Sequence, residues 1–169
     1  MQREKYRILQ ITKAKFPPEI RVMKEGLSLH EAGYGSAVLC PPVGEQAEYE
    51  MWQGIEIFRP KMLGQSSVSD KVLEQAALFS PSWYQAIKHT IAHYQPDVLH
   101  VHDIWLGRAT FAARSTQKVV MDLHENMPAA VVEYRRGYRG AQRWFRYLFH
   151  SYPRIFVYER NLLQSSDLV

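Results

Sequence analysis

Two short stretches of this chain hold the side chains best suited to chemistry. One is Pro96-Asp97-Val98-Leu99-His100-Val101-His102-Asp103; the other, one short helix later, is Val119-Val120-Met121-Asp122-Leu123-His124-Glu125. In each, a run of β-favouring apolar residues ends in a histidine beside a carboxylate. That is how a buried parallel strand reads when its carboxyl end opens into a crevice. An imidazole next to a carboxylate can exchange hydrogen bonds with a hydroxyl and can meet charge that develops during group transfer. His100 and His102 share one face of their strand, and only His102 stands at the exit, so it is the first candidate for a catalytic role. The competing reading is a satisfied histidine at the start of the next helix. His100, in mid-strand, reads as packed and structural.

Asp103 can orient His102 or cap the helix that begins near Ile104, with capping the preferred role. His124 and Glu125 can accept from hydroxyls of an acceptor, or they are solvated residues where the next helix begins. The four groups could surround a metal ion, but no HExxH or comparable ligand spacing supports one, so none is expected. Lys13 and Lys15, in the loop after the first strand, and Arg21, in the first turn of the first helix, suit a phosphate or another anion. A solvated basic loop explains them equally well.

These residues need a scaffold, and the hydrophobic pattern supplies one. Tyr6 to Thr12 reads as a first strand, followed by the loop Lys13-Ala14-Lys15-Phe16-Pro17-Pro18. Pro18 suits the opening turn of a helix whose apolar stripe is Ile20, Met23 and Leu27, stopped at Gly33-Tyr34-Gly35. Ser36 to Cys40 is a second strand, halted by Pro41-Pro42, so the chain opens with a βαβ unit. Residues 43 to 54 are polar and turn-rich, and Gly54 to Pro60 makes a short strand. A helical region from about Val68 to Tyr94 is broken near Ser80-Pro81-Ser82, with Ser80 as cap and Pro81 at a new start. Strands at Val98 to His102 and Lys118 to Leu123 enclose a helix from about Ile104 to Arg114. Helical segments then run near Ala130 to Tyr134, Ala141 to Tyr152 and Pro153 to Ser166. Such alternation predicts an α/β fold: a Rossmann-like parallel sheet with helices on both faces.

At 169 residues the chain is long enough for one domain with its own core. Its single cysteine, Cys40, excludes an intrachain disulfide and a Cys-based zinc site, and favours a reducing compartment, the cytoplasm by default. No apolar stretch approaches the ~20 residues of a membrane span. The final Ser165-Ser166-Asp167-Leu168-Val169 resembles the entry to another strand, which suggests that more protein follows.

The net charge is only +4, but basic residues gather late in the chain. In the segment from Tyr134 to Phe149, Arg135, Arg139, Arg143 and Arg146 recur at helical spacing, with Arg136 beside them and Phe145 and Phe149 interleaved. Such a face suits an anionic bilayer, each basic side chain adding about 1 kcal/mol near the surface. The alternative is that the aromatics pack inward and the arginines face water. Nucleic acid is not expected as a partner, because no recognisable motif is present and the rest of the chain is not basic enough.

Taken in order, five stretches resemble a known family: Phe16-Pro17-Pro18 with Arg21; Leu29, Ala32-Gly33 and Val38-Leu39-Cys40-Pro41; Pro96 to Asp103; Asp122-Leu123-His124-Glu125; and Glu159-Arg160 with Ser166-Asp167-Leu168-Val169. Together they resemble the N-terminal domain of a family 4 (group 1) glycosyltransferase of the GT-B fold, over essentially the whole of residues 1–169. The resemblance implies one half of a two-domain enzyme. This half would bind a sugar or lipid-linked sugar acceptor, and a C-terminal Rossmann-like half would hold the nucleotide-sugar donor. It further implies metal-independent transfer with retention of configuration, a co-substrate but no cofactor, and a site on the inner face of the membrane or in the cytoplasm. His102 would correspond to the histidine that contacts the transferred sugar. Two departures stand out. The first loop lacks the glycine pair that many members place near the donor phosphates, leaving Lys13 and Lys15 as its phosphate-binding groups, and Gly35 replaces a frequent histidine. A stand-alone, non-catalytic module that binds a membrane or partner through residues 134–154 is the alternative.

Overall fold

The computed structural model describes residues 6–65, 67–137 and 139–169, the side chains of 135, 141–143, 145 and 146 excepted. Six strands form one sheet: β1 (Arg7–Thr12), β2 (Gly35–Leu39), β3 (Tyr49–Trp52), β4 (Ile55–Phe58), β5 (Val98–His102) and β6 (Lys118–Asp122). Their order is β3-β4-β2-β1-β5-β6, all parallel except the edge strand β3. The chain leaves β1 toward β2 on one side and later returns to β5 on the other. The topological switch point, where open α/β sheets form a crevice at their carboxyl ends, therefore lies between β1 and β5.

Period-two alternation divides the strands between two layers. Leu9, Ile11, Leu99, Val101, Val119 and Met121 face α3 (Pro81–Tyr94) and α4 (Ile104–Ala113) in the larger core. Val38, Cys40, Ile55 and Ile57 face α1 (Ile20–Glu31), which adds Val22, Met23 and Leu27. The sequence-based expectation of a sheet covered on both faces holds. Beyond β6, α5 (Met127–Tyr134) and α7 (Tyr152–Ser165) pack together, and α7 also lies on α4. A Cβ added at Gly107 of α4 would come within 2.6 Å of the Leu162 side chain, which would have to shift to admit it.

The break at Ser80 is as expected: α2 (Val68–Ala77) ends and Ser80 caps α3, accepting from the Trp83 N–H. Three local readings are corrected. Pro18 lies in a turn, not in the helix; the buried Phe16 ring anchors the loop, and α1 starts at Ile20 after Glu19. Within the polar stretch 43–54 lies β3, joined to β4 through Gln53 and Gly54, whose φ values of 49° and 83° make the two-residue turn that suits a twisted hairpin. The basic segment is not one helix. A single 3₁₀ turn at Arg135–Gly137 and Gly140 at φ 56° separate its first part from α6 (Gly140–Phe149).

The chain's last residues do continue as a strand-like segment. Leu168 forms a parallel bridge with Val120, and Asp167 accepts from the Val119 N–H and from Lys118 Nζ. Among the described residues, no helix is long and apolar enough to cross a membrane.

Candidate functional site

Register places the site. Gln10, His100 and Val120 are cross-strand neighbours, as are Thr12, His102 and Asp122 one pleat further toward the carboxyl ends. All six point to the α1 side of the sheet. The polar members therefore form a layer where the opposite face has aliphatic core. His102 was expected to open onto the crevice, but only 2% of its surface is exposed. The pleat turns its ring under α1 while the backbone alone reaches the exit. Its Nδ1 stands 3.1 Å from Asp122 Oδ2 and its Nε2 3.1 Å from Gln10 Oε1. Burial, and then the neighbouring His100, push its pKa below the ordinary histidine value, and burial does the same to His100.

The other arm reaches the surface. His124 is next to His102, rings 6.2 Å apart and nearly parallel, and its Nε2 lies 3.2 Å from the same Asp122 oxygen. One carboxylate thus spans a buried imidazole and a rim imidazole. Asp122 was legible only as the residue before Leu123-His124; what marks it is the register that sets it opposite His102.

His124, Glu125, Asp103 and Arg21 line one cavity of about 190 Å3, floored by Ile104, Leu123 and Met127. Four of the residues chosen from sequence are therefore brought together at the switch point. Asp103 caps α4 as expected, its Oδ1 accepting from the Trp105 N–H at 3.1 Å. Its φ of 114° lies where side chains are strained, a conformation that persists only where surroundings enforce it and that clusters at functional sites. Burial raises its carboxyl pKa. Glu125 does not begin a helix; it accepts from Tyr134 Oη at 2.7 Å, and Asn126 accepts from the Ala129 N–H in the first turn of α5. Arg21 stands at the positive end of α1, 4.0 Å from Glu19.

A second cavity of about 230 Å3 opens beside the first and shares Met127 with it. Lys13, Glu74, Trp105, Tyr134 and His150 are among its walls. Lys13 is ion-paired with Glu74 of α2, so part of its charge is already answered within the protein, whereas Lys15 is exposed. The Trp105 and His150 rings lie 5.1 Å apart, tilted by 34° to one another.

Sequence reading missed Arg59. It is 1% exposed, pairs with Glu50 Oε2 at 2.7 Å and donates to the Phe16 carbonyl at 3.0 Å, tying the end of β4 to the first loop. Its position, next to the proline that closes β4, gave no sign of burial. Of the basic-aromatic segment, the side chains of Arg135, Arg143 and Arg146 lie outside the described residues. Arg136 is exposed and paired with Glu133, Arg139 is exposed, and Trp144, Tyr147 and Leu148 present 76, 60 and 69% of their surface.

Residues 18–169 match the family described as glycosyl transferase 4-like domain. The chain belongs to that family. Its fold also matches sucrose-phosphate synthase from Thermosynechococcus elongatus, with a TM-score of 0.66 and 16% identity over 96% of this chain and 41% of that one. This glycosyl transferase 4-like domain thus spans less than half the length of that enzyme, and it shares the architecture of one GT-B half. No curated protein sequence matches it. As the comparison rests on 16% identity, it carries the fold and leaves the substrates to the chemistry of the site.

Proposed function

We propose that this domain is the acceptor-side half of a retaining glycosyltransferase, moving a sugar from a nucleotide-sugar donor to a saccharide or lipid-linked acceptor. A C-terminal donor-binding half is its partner, and no metal takes part at the reacting centre. The supporting observation is the rim cavity, where His124, Glu125, Asp103 and Arg21 converge at the switch point. An imidazole and two carboxylates provide alternating donors and acceptors for sugar hydroxyls, and Arg21 offers charge to an anionic group.

In this reading His124 meets the sugar. His102 is a positioning residue, holding Asp122 so that its carboxylate stays beside the His124 imidazole. The neighbouring cavity extends the acceptor path across the Trp105 ring, a flat apolar surface of the kind that packs against a sugar face. Lys13, released from Glu74, and Lys15 would face donor phosphate at the junction between halves.

The division of labour is tested by calorimetric titration of this chain with UDP-glucose and GDP-mannose. Dissociation constants in roughly the millimolar range are expected. Nanomolar binding would contradict it.

The exposed Trp144, Tyr147 and Leu148, close to Arg136 and Arg139, favour a membrane-surface seat for the enzyme on the cytoplasmic side, which suits a lipid-linked acceptor. The same surface is what a non-catalytic, membrane-binding module would use.

A further inference from the structure

Beneath the rim cavity, and independent of the sugar-transfer reading, α1 and β5 enclose a cluster that neither the sequence spacing nor the family implies. Glu25, His100, His102 and Asp122 each bring a ligand-type nitrogen or oxygen within 4.8 Å of the others. Glu25 Oε2 lies 3.7 Å from His100 Nδ1 and 3.6 Å from His102 Nε2. Both separations are too long for hydrogen bonds. Glu25 Oε2 is shielded from solvent and has no hydrogen-bond partner among the described residues. The tautomer of His102 that satisfies Asp122 carries its proton on Nδ1, so Nε2 presents its lone pair to the Gln10 amide, 3.1 Å away, and beyond it to the Glu25 carboxylate. The Gln10 amide, turned so that its otherwise unpartnered Nε2 donates, satisfies His102, but Glu25 Oε2 is left without a partner among the described residues.

We propose that Glu25, His100 and His102 form a binding site for a divalent transition-metal ion of the zinc type, which pins α1 to the centre of the sheet. Two imidazole nitrogens and one carboxylate oxygen are the donor set that borderline ions prefer. Ligand atoms about 2.0–2.1 Å from a tetrahedral zinc ion stand about 3.4 Å apart, so the two separations from Glu25, 3.6 and 3.7 Å, need close by only tenths of an ångström, and the cluster as a whole lies within 4.8 Å. Asp122 completes the arrangement from behind: it holds His102 by the nitrogen opposite the ion, the carboxylate-histidine-metal relay that fixes a ligand's orientation. Glu25 and His100 remain partly exposed and give the ion a way in. Gly26 allows the close approach that brings Glu25 down to the strands, for a Cβ there would fall 2.8 Å from Ile55 and 3.0 Å from Gln10. Because Asp122 also contacts His124, filling the site would steady the rim imidazole as well.

The set weighed from sequence, His102, His124, Asp103 and Glu125, lacked any metal-ligand spacing and does not include Glu25 or His100. Here two ligands stand on β5 and the third comes from residue 25, and only the packing of α1 on the sheet brings them together.

The experiment is calorimetric titration of tag-free, chelator-treated protein with zinc chloride, followed by X-ray absorption on the zinc-loaded wild type. One ion per chain is expected, bound at about micromolar strength or tighter. Asp122→Asn should weaken it about 10- to 100-fold, and Glu25→Gln or His100→Ala by more. Circular dichroism separates lost ligation from lost fold in the variants. The absorption measurement requires no variant and should show two imidazoles in the zinc shell. Absence of binding at millimolar zinc, affinity unchanged in a folded Glu25→Gln protein, or a zinc shell without imidazole would each overturn the proposal.

Discussion

His102 shows how far a residue's place in the sequence determines its role. A histidine at the end of an apolar run is at the exit of its strand, and so it is here; yet the pleat sends its ring under α1, where it is enclosed by Gln10 and Asp122. His124, given equal weight as a solvated residue, is the imidazole that reaches the cavity. The pair of arms was legible because strand ends carry a period of two. Which arm is buried depends on where α1 lies, and that is not encoded locally. Cys40 illustrates the same dependence. Burial pushes its thiol pKa up to about 11, against the lowering pull of Arg59. Since the thiolate is the reactive form, Cys40 should resist a disulfide-exchange reagent at pH 8 in the native protein and react stoichiometrically in denaturant. Native labelling as fast as that of the unfolded chain would contradict the packing described for this face.

Among elements, the βαβ opening, the break at Ser80 and the paired strands β5 and β6 followed from apolar period and caps. The edge strand β3 did not, because its exposed Tyr49, Glu50 and Met51 lack the alternation of a half-buried strand, and only the Gln53-Gly54 turn reveals it. The basic segment is not one helix because its first part runs out in the 3₁₀ turn at Arg135–Gly137 and Gly140, at a positive φ that breaks helical geometry, opens α6 afresh. At the far edge, Asp167 secures the C-terminal segment to β6, and its pKa is held below the ordinary 3.8, first by the Lys118 hydrogen bond and then by the Val119 N–H. A carboxylate whose pKa is lower folded than unfolded stabilises the fold fully above the unfolded value and loses that contribution as pH falls through the folded one. The melting-temperature advantage of wild type over Asp167→Asn should therefore be constant at neutral pH and shrink below about pH 4. A difference independent of pH would show that the carboxylate charge is not what holds the segment.

The whole molecule is a switch-point crevice backed by a rigid sheet, with a family match over residues 18–169. At this scale, the exposed Trp144, Tyr147 and Leu148 should bring the protein down with sedimented vesicles containing anionic phosphatidylglycerol, less so with neutral ones, and Arg139→Glu should weaken the effect. Equal partition to neutral and anionic vesicles, or none to either, would remove the membrane surface from the proposal. The central claim is that the rim cavity handles the acceptor while the donor is held elsewhere. Steady-state transfer kinetics of the enzyme carrying both halves test this most directly, comparing wild type with His124→Ala and Glu125→Gln at varied acceptor and varied donor. The cavity reading predicts that kcat/KM for acceptor falls at least about tenfold while the donor KM changes little. A rise in donor KM with acceptor kinetics intact would contradict it.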